Sequence, residues 1–184
     1  MSKKYDIIYM DPPWQYNFGT GMSSGSKIEN HYPTMSDEEL FDLDVEQFAN
    51  DDSLLYMWTT STHMKLAIQL GEHWGFDYKV VAFVWDKVRP VVGFYTMGQA
   101  EFVLCFKKKK GRIPKPRGHR GARQMLVENK REHSRKPDEI RRRIEAMHPT
   151  QTKLEMFARV SMPGWDVWGN EVDKFNEEET KGLF

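Results

Sequence analysis

A single cysteine, Cys105, gives this 184-residue chain no internal disulfide, and a buried, reduced thiol within the apolar run Phe102 to Phe106 is expected. Six scattered histidines (31, 63, 73, 119, 133 and 148) with no second cysteine offer no metal-ligand spacing, so no metal is expected. No stretch approaches the roughly 18 apolar residues that a membrane-spanning helix needs. The basic, polar start predicts no secretory leader, so a cytoplasmic protein with no membrane partner is expected. Gly-x-Ser-x-Gly is missing, and Cys105 lies within an expected strand, which argues against an ordinary serine or cysteine nucleophile. Phosphate loops are missing too, because Gly19-Thr20-Gly21 is not followed by a third glycine at the required spacing.

An excess of charge is also lacking. Lysines plus arginines and aspartates plus glutamates both number 27, which excludes a uniformly basic protein. The average conceals segregation. Between Lys107 and Arg143 stand 16 lysines and arginines against four acids, a net of 12 positive charges that the rest of the chain balances. This stripe, with the glycine- and proline-rich stretch Gly111 to Gly121 inside it, suits contact with a polyanion, and the segment Lys107 to Gly121 is expected to stay mobile until it meets one.

What is present is the composition of a globular domain, 39% hydrophobic and 13% aromatic. Apolar runs predict strands at 5–10, 53–59, 78–85, 101–106, 124–127, 153–158 and 165–169, alternating with helices in an α/β sheet. Ser36 and Glu39 form a capping box opening a helix whose Leu40, Phe41, Val45 and Phe48 face the sheet. A second helix covers 62–74 and turns Met64, Ala67, Ile68 and Gly71 inward. A third opens at Lys136-Pro137-Asp138-Glu139; its Ile140, Ile144 and Met147 pack, while Arg141, Arg142 and Arg143 are expected to point outward. One domain over 1–172 and an acidic tail over 173–184 are expected.

The most informative stretch is Asp11-Pro12-Pro13-Trp14, directly after the first strand. Two prolines cannot donate to a sheet ladder, so the strand must stop there in a stiff, extended corner. That corner lies at the carboxyl end of a strand, where open α/β sheets bind ligands. The Asp11 carboxylate and Pro12 carbonyl are two acceptors for the N–H bonds of an exocyclic amine, whose lone pair is delocalised into its ring. Holding both bonds would stabilise the positive charge that develops as the nitrogen attacks an electrophile. Pro13 stiffens the corner, and Trp14 is expected to stack on the base. The glycine- and serine-rich segment 17–34 is a candidate lid.

Taken in order, Asp11 to Trp14, His31 to Ser36, Leu54 to Trp58, Trp74-Gly75-Phe76, Glu101 to Leu104, His133 to Glu139, Lys153 to Arg159 and Trp165 to Asn170 form a collinear set. This set resembles the MT-A70 family of S-adenosylmethionine-dependent adenine-6-amino methyltransferases. The resemblance implies a Rossmann-like sheet in permuted order, with the catalytic strand first and the cofactor strand near the end. It implies that Asp11 to Trp14 grip adenine with Tyr32 beside them. Lys136 would meet the cofactor's methionine carboxylate, Glu155 and Arg159 its ribose, and Asn170 its adenine. Ser161 is carried over with them, although 160–164 is shorter than in larger members and lacks their His-Asn pair. Those members also carry a segment before the catalytic strand that helps hold the cofactor's adenine, and the few residues before Tyr5 do not supply one.

The reading that unites these features is methyl transfer from S-adenosylmethionine to the 6-amino group of adenine in DNA. Lys107, Lys108, Arg112, Arg117, Arg120 and Arg135 would hold the phosphate backbone. RNA adenine methylation is the alternative within the same chemistry. A catalytically silent nucleic-acid-binding partner would lack the acid and aromatic that Asp11 and Trp14 retain, and protein amide methylation would prefer Asn-Pro-Pro-Tyr.

Overall fold

The computed structural model describes residues 3–15, 34–93, 95–131, 135–158 and 161–169. All seven expected strands form: β1 Tyr5–Met10, β2 Ala49–Thr59, β3 Phe76–Val91, β4 Gly98–Lys108, β5 Met125–Val127, β6 Lys153–Met156 and β7 Asp166–Trp168. They make one sheet in the order β5-β3-β4-β2-β1-β6-β7. Only β4 runs against the others, pairing antiparallel with both β2 and β3. The result is the α/β Rossmann-like architecture expected, with β1 near the middle, flanked by β2 and β6 in parallel.

Near-continuous apolar runs in β1 and β2 reflect burial on both faces, as parallel strands require. Ile8, Met10, Leu55, Met57, Leu104 and Phe106 point to one face, where helices α1 (Asp37–Phe41) and α2 (Met64–His73) pack. Ile7, Tyr9, Tyr56, Trp58, Phe83 and Val103 point to the other, beneath helix α3 (Asp138–Met147). Full burial of each large apolar side chain contributes about 1.5–3 kcal/mol.

Gly71 marks the closest approach of α2 to the sheet, since a Cβ there would stand 2.3 Å from the fully buried Phe106 ring. The Ser36–Glu39 capping box is present with both of its reciprocal hydrogen bonds. The helix it opens is shorter than expected: it stops at Phe41, and a 3-10 turn over Glu46–Phe48 follows. Asp44 holds that turn by accepting the Gln47 amide, 3.2 Å away, so Val45 and Phe48 reach the core from separate elements.

Two expectations are corrected. Arg141 does not point outward. It is 8% exposed beneath α3, where carboxylates of Asp138 (3.0 Å) and Glu155 (3.2 Å) pair with its guanidinium. The basic stretch 107–121 is not a free arm either. Gly118 and His119 donate their amides to Met147 and Ala146 carbonyls (2.9 and 2.7 Å), satisfying acceptors that the end of α3 leaves open. Glycine is required at 118 because a Cβ would lie 2.2 Å from the Ala146 carbonyl oxygen.

Candidate active site at the carboxyl end of the first strand

Asp11 follows Met10 at the carboxyl end of β1, and its side chain is 22% exposed. The corner is built as its prolines dictate. With no amide on Pro12 or Pro13, the next available donor, Trp14 N–H, folds back onto the Pro12 carbonyl at 2.8 Å, a three-residue turn. Met35 N–H donates to the Pro13 carbonyl at 3.0 Å. Both proline carbonyls therefore have partners inside the protein. Pro12 offers a further acceptor only through its second lone pair.

Trp14 departs from the expected open stacking face. It is 5% exposed, packed in the core, with the His63 ring stacked on it at 5.3 Å and 24°. Gln15 carbonyl lies 3.1 Å from His63 Nε2, which therefore donates to it, leaving Nδ1 to accept from the Thr60 and Thr62 hydroxyls. Trp14 thus braces the corner from behind. Its indole N–H is buried without a hydrogen-bond partner among the described residues.

A chain of alternating charges surrounds Asp11. Lys136 Nζ stands 3.1 Å from the Asp11 carboxylate and 3.1 Å from Glu101, whose other oxygen takes Lys87 at 3.1 Å. The Lys136 ammonium also lies 5.5 Å from the centre of the Trp58 ring. Burial alone would favour its neutral form, but the Asp11 and Glu101 charges outweigh this and raise its pKa, so it stays protonated. Burial likewise pushes Glu101 up, and Lys136 and Lys87 outweigh it, holding that carboxyl below its ordinary value.

Behind this layer, the Trp58 indole donates to the Tyr9 hydroxyl at 2.6 Å, and burial raises the Tyr9 pKa far above its usual range. Glu155 pairs with Tyr9 in register on β6 and is raised by burial, while Arg141 beside it opposes that shift.

The donor set suits an α-amino acid. A cofactor bearing a methionine-type end presents one carboxylate and one ammonium, and the site presents one buried ammonium between two carboxylates. Lys136 fits the former and Glu101 the latter, with Asp11 on the other side of the ammonium.

The fold brings together Asp11, Pro12, Lys136, Glu155 and Arg135, which lies next to Lys136 and 4.0 Å from Asp138. It separates Lys107, Lys108 and Arg112 from them. Lys107 pairs in register with Leu54, and Leu54 with Ile7, so it lies at the opposite end of the strands. Four residues of β-strand, about 13 Å, separate that level from Asp11. There Lys107 donates to the Lys108 and Gly111 carbonyls, Lys108 pairs with Glu46, and Arg112 with Asp52. These three therefore stand at the far end of the strands from Asp11, because antiparallel β4 carries its own end away from the corner. Arg117 and Arg120 are exposed on the strap that crosses the end of α3, and Ser161 is exposed beyond β6. Tyr32, Arg159 and Asn170 lie outside the described residues.

Glu101, Trp58, Lys87 and Arg141 are site residues that sequence reasoning gave no role. A readable signal existed for one of them: Glu101 is an acid in an otherwise apolar strand, and a charge there needs a partner.

A family model for MT-A70 matches residues 5–171. The Type II methyltransferase M.MunI of a Mycoplasma species is 45% identical over 98% of this chain and 83% of its own length. The N(6)-adenosine-methyltransferase subunit METTL3 of Danio rerio is 29% identical over 92% of this chain, which spans only 28% of that protein. The N(6)-adenosine-methyltransferase MT-A70-like protein of Arabidopsis thaliana is also 29% identical over 92% of this chain, here 24% of its length. With a family model matched over residues 5–171, a Rossmann-like sheet and an acid at the carboxyl end of β1, the chain belongs to the MT-A70 family.

Proposed function

We propose that this protein is an S-adenosylmethionine-dependent methyltransferase acting on the 6-amino group of adenine in DNA, in the cytoplasm. The observation that carries the mechanism is the Asp11 carboxylate at the end of β1, held 3.1 Å from Lys136. The choice of DNA is supported by the likeness to a Type II methyltransferase across most of both chains.

S-adenosylmethionine, when bound, supplies the electrophilic sulfonium methyl group. Lys136 would engage its carboxylate, and Glu155 would serve the ribose side together with Arg159, Ser161 and Asn170. Lys136 can turn toward an incoming carboxylate while Asp11 accepts an N–H of the adenine amino group. Pro12 accepts the other N–H through its remaining lone pair. Both acceptors are in place before reaction, so stabilising the charge that develops on nitrogen needs no reorganisation at that moment. The proton released from nitrogen passes to water. In a duplex the 6-amino group is paired, so adenine must be flipped out or presented in a single strand.

Incubation with methyl-labelled cofactor and matched single- and double-stranded DNA and RNA, followed by nucleoside analysis, tests the proposal. N6-methyldeoxyadenosine is the expected product. Label found only in RNA adenosine, or only in protein, would overturn the DNA assignment.

A further inference from the structure

Of the basic stripe, the part on and beside α3 carries its charge differently from the part at the far end of β4. At the far end each cation named above is matched: Lys108 by Glu46, Arg112 by Asp52, and Lys107 by two carbonyls. Beside α3 lies a surface cleft of about 320 Å³, lined by His119, Arg123, Arg142, Arg143 and a single acid, Glu139. Glu139 is shared between Arg143 at 3.0 Å and Arg142 at 3.8 Å, so three arginines face one carboxylate and the cleft keeps a positive excess.

Arg143 is fixed. Its guanidinium also donates to the Arg123 and Met125 carbonyls (2.7 and 2.9 Å), tying α3 to the strand beside it and shaping the floor of the cleft. Arg142 is 70% exposed and Arg123 is exposed, so both can reach an anion at little desolvation cost.

Position adds the second argument. Arg142 lies one turn beyond Asp138, about 6 Å along α3. Lys136, two residues before Asp138, reaches Asp11. The residue that reaches Asp11 and the cleft's Arg142 are therefore carried by one short helix and the residues that lead into it.

Resting on the reading of the chain as a DNA methyltransferase, we propose that this cleft binds a backbone phosphate of the strand whose adenine enters at Asp11. Arg123 and Arg142 are its cationic contacts. The phosphate sits between the two guanidiniums, Arg143 holds the floor, and the register between phosphate and flipped base sets how far the strand must bend to present its adenine.

The test compares DNA binding by the wild type, the Arg123→Gln/Arg142→Gln double variant and a far-end control, Lys110→Glu/Arg112→Glu. Fluorescence anisotropy on a labelled duplex would be read across about 50–300 mM KCl, a span in which phosphate contacts dominate the salt response. Loss of one phosphate contact should weaken binding about tenfold at low salt and reduce the slope of log affinity against log salt by about one. The far-end control should keep the slope, and cofactor affinity by calorimetry should be the same in all three proteins. An unchanged slope in the cleft variant, or an equal loss in the far-end control, overturns the assignment. A wild type that binds duplex and methylates it while the cleft variant is unaltered removes the cleft alone. A wild type that neither binds nor methylates DNA removes the DNA reading, and the cleft with it.

Discussion

Lys136 sets its ammonium 3.1 Å from the Asp11 carboxylate, joining the residue before the first turn of α3 to the corner after β1, two positions 125 residues apart in the chain. Glu101, arriving on the antiparallel strand β4, completes the cluster from a third direction. The pairing orients the Asp11 carboxylate at the carboxyl end of β1.

Asp11→Ala should separate chemistry from binding. Methyl transfer is expected to fall by at least about 100-fold, the usual cost of removing a preorganised charge-stabilising group. DNA affinity by anisotropy should stay within about threefold, because Asp11 makes no phosphate contact in this proposal. Unchanged turnover would remove Asp11 from the mechanism.

Lys136→Met leaves two neighbouring carboxylates without their shared cation. Its side chain is 19% exposed, so the expected loss of stability is about 2 kcal/mol, below the figure for fully buried pairs, read as a lower urea midpoint. Adding Glu101→Gln should restore much of the stability without restoring cofactor affinity. Recovery of both would make Lys136 a structural residue only.

Gly71→Ala forces a methyl group onto the Phe106 ring, whose surroundings leave it no room to retreat. An overpacking penalty of about 2–3 kcal/mol is expected by urea unfolding. The Gly71→Ala/Phe106→Leu pair should lose less than the sum of its parts. Strict additivity would show that α2 does not press on β4 as described.

His148 gives the fold a pH dependence. Burial, helped by the nearby positive charges of Lys153 and Arg117, pushes its pKa down to about 4. Tyr56 holds the neutral ring through a 3.0 Å hydrogen bond to Nε2. Between pH 6.5 and about 4 the unfolded chain binds the proton and the folded one does not, so stability rises with pH there. The contribution is complete above pH 6.5 and is lost as pH falls toward 4, a change on the order of 2–3 kcal/mol. His148→Gln should flatten that part of the profile. Denaturation midpoints at intervals from pH 7 to 4.5 check it.

Much of this was legible in the chain. All seven strands were readable, because two-sided burial demands runs of apolar residues long enough to stand out, as in Ile7 to Met10 and Leu54 to Trp58. The proline corner was readable because proline has no amide to donate, and the capping box because its two hydrogen bonds are local. The short first helix and the longer β3 were misjudged at their ends, where a cap or a neighbouring strand decides when an element stops.

Local chemistry is written residue by residue, so the sequence alone determined the elements, the stiff acid-bearing corner and the resemblance to adenine methyltransferases. Only the tertiary structure decided which charges meet. A lysine in a basic run looks the same whether it faces water, a carbonyl or Asp11. Because β4 runs against its neighbours, Lys107 and Lys108 are carried to the far end of the sheet while Glu101 is delivered to the site. Because α3 lies over β1 and β6, Arg141 is drawn inside to Glu155. Coulomb attraction depends on distance through space, and strand direction and helix packing set those distances.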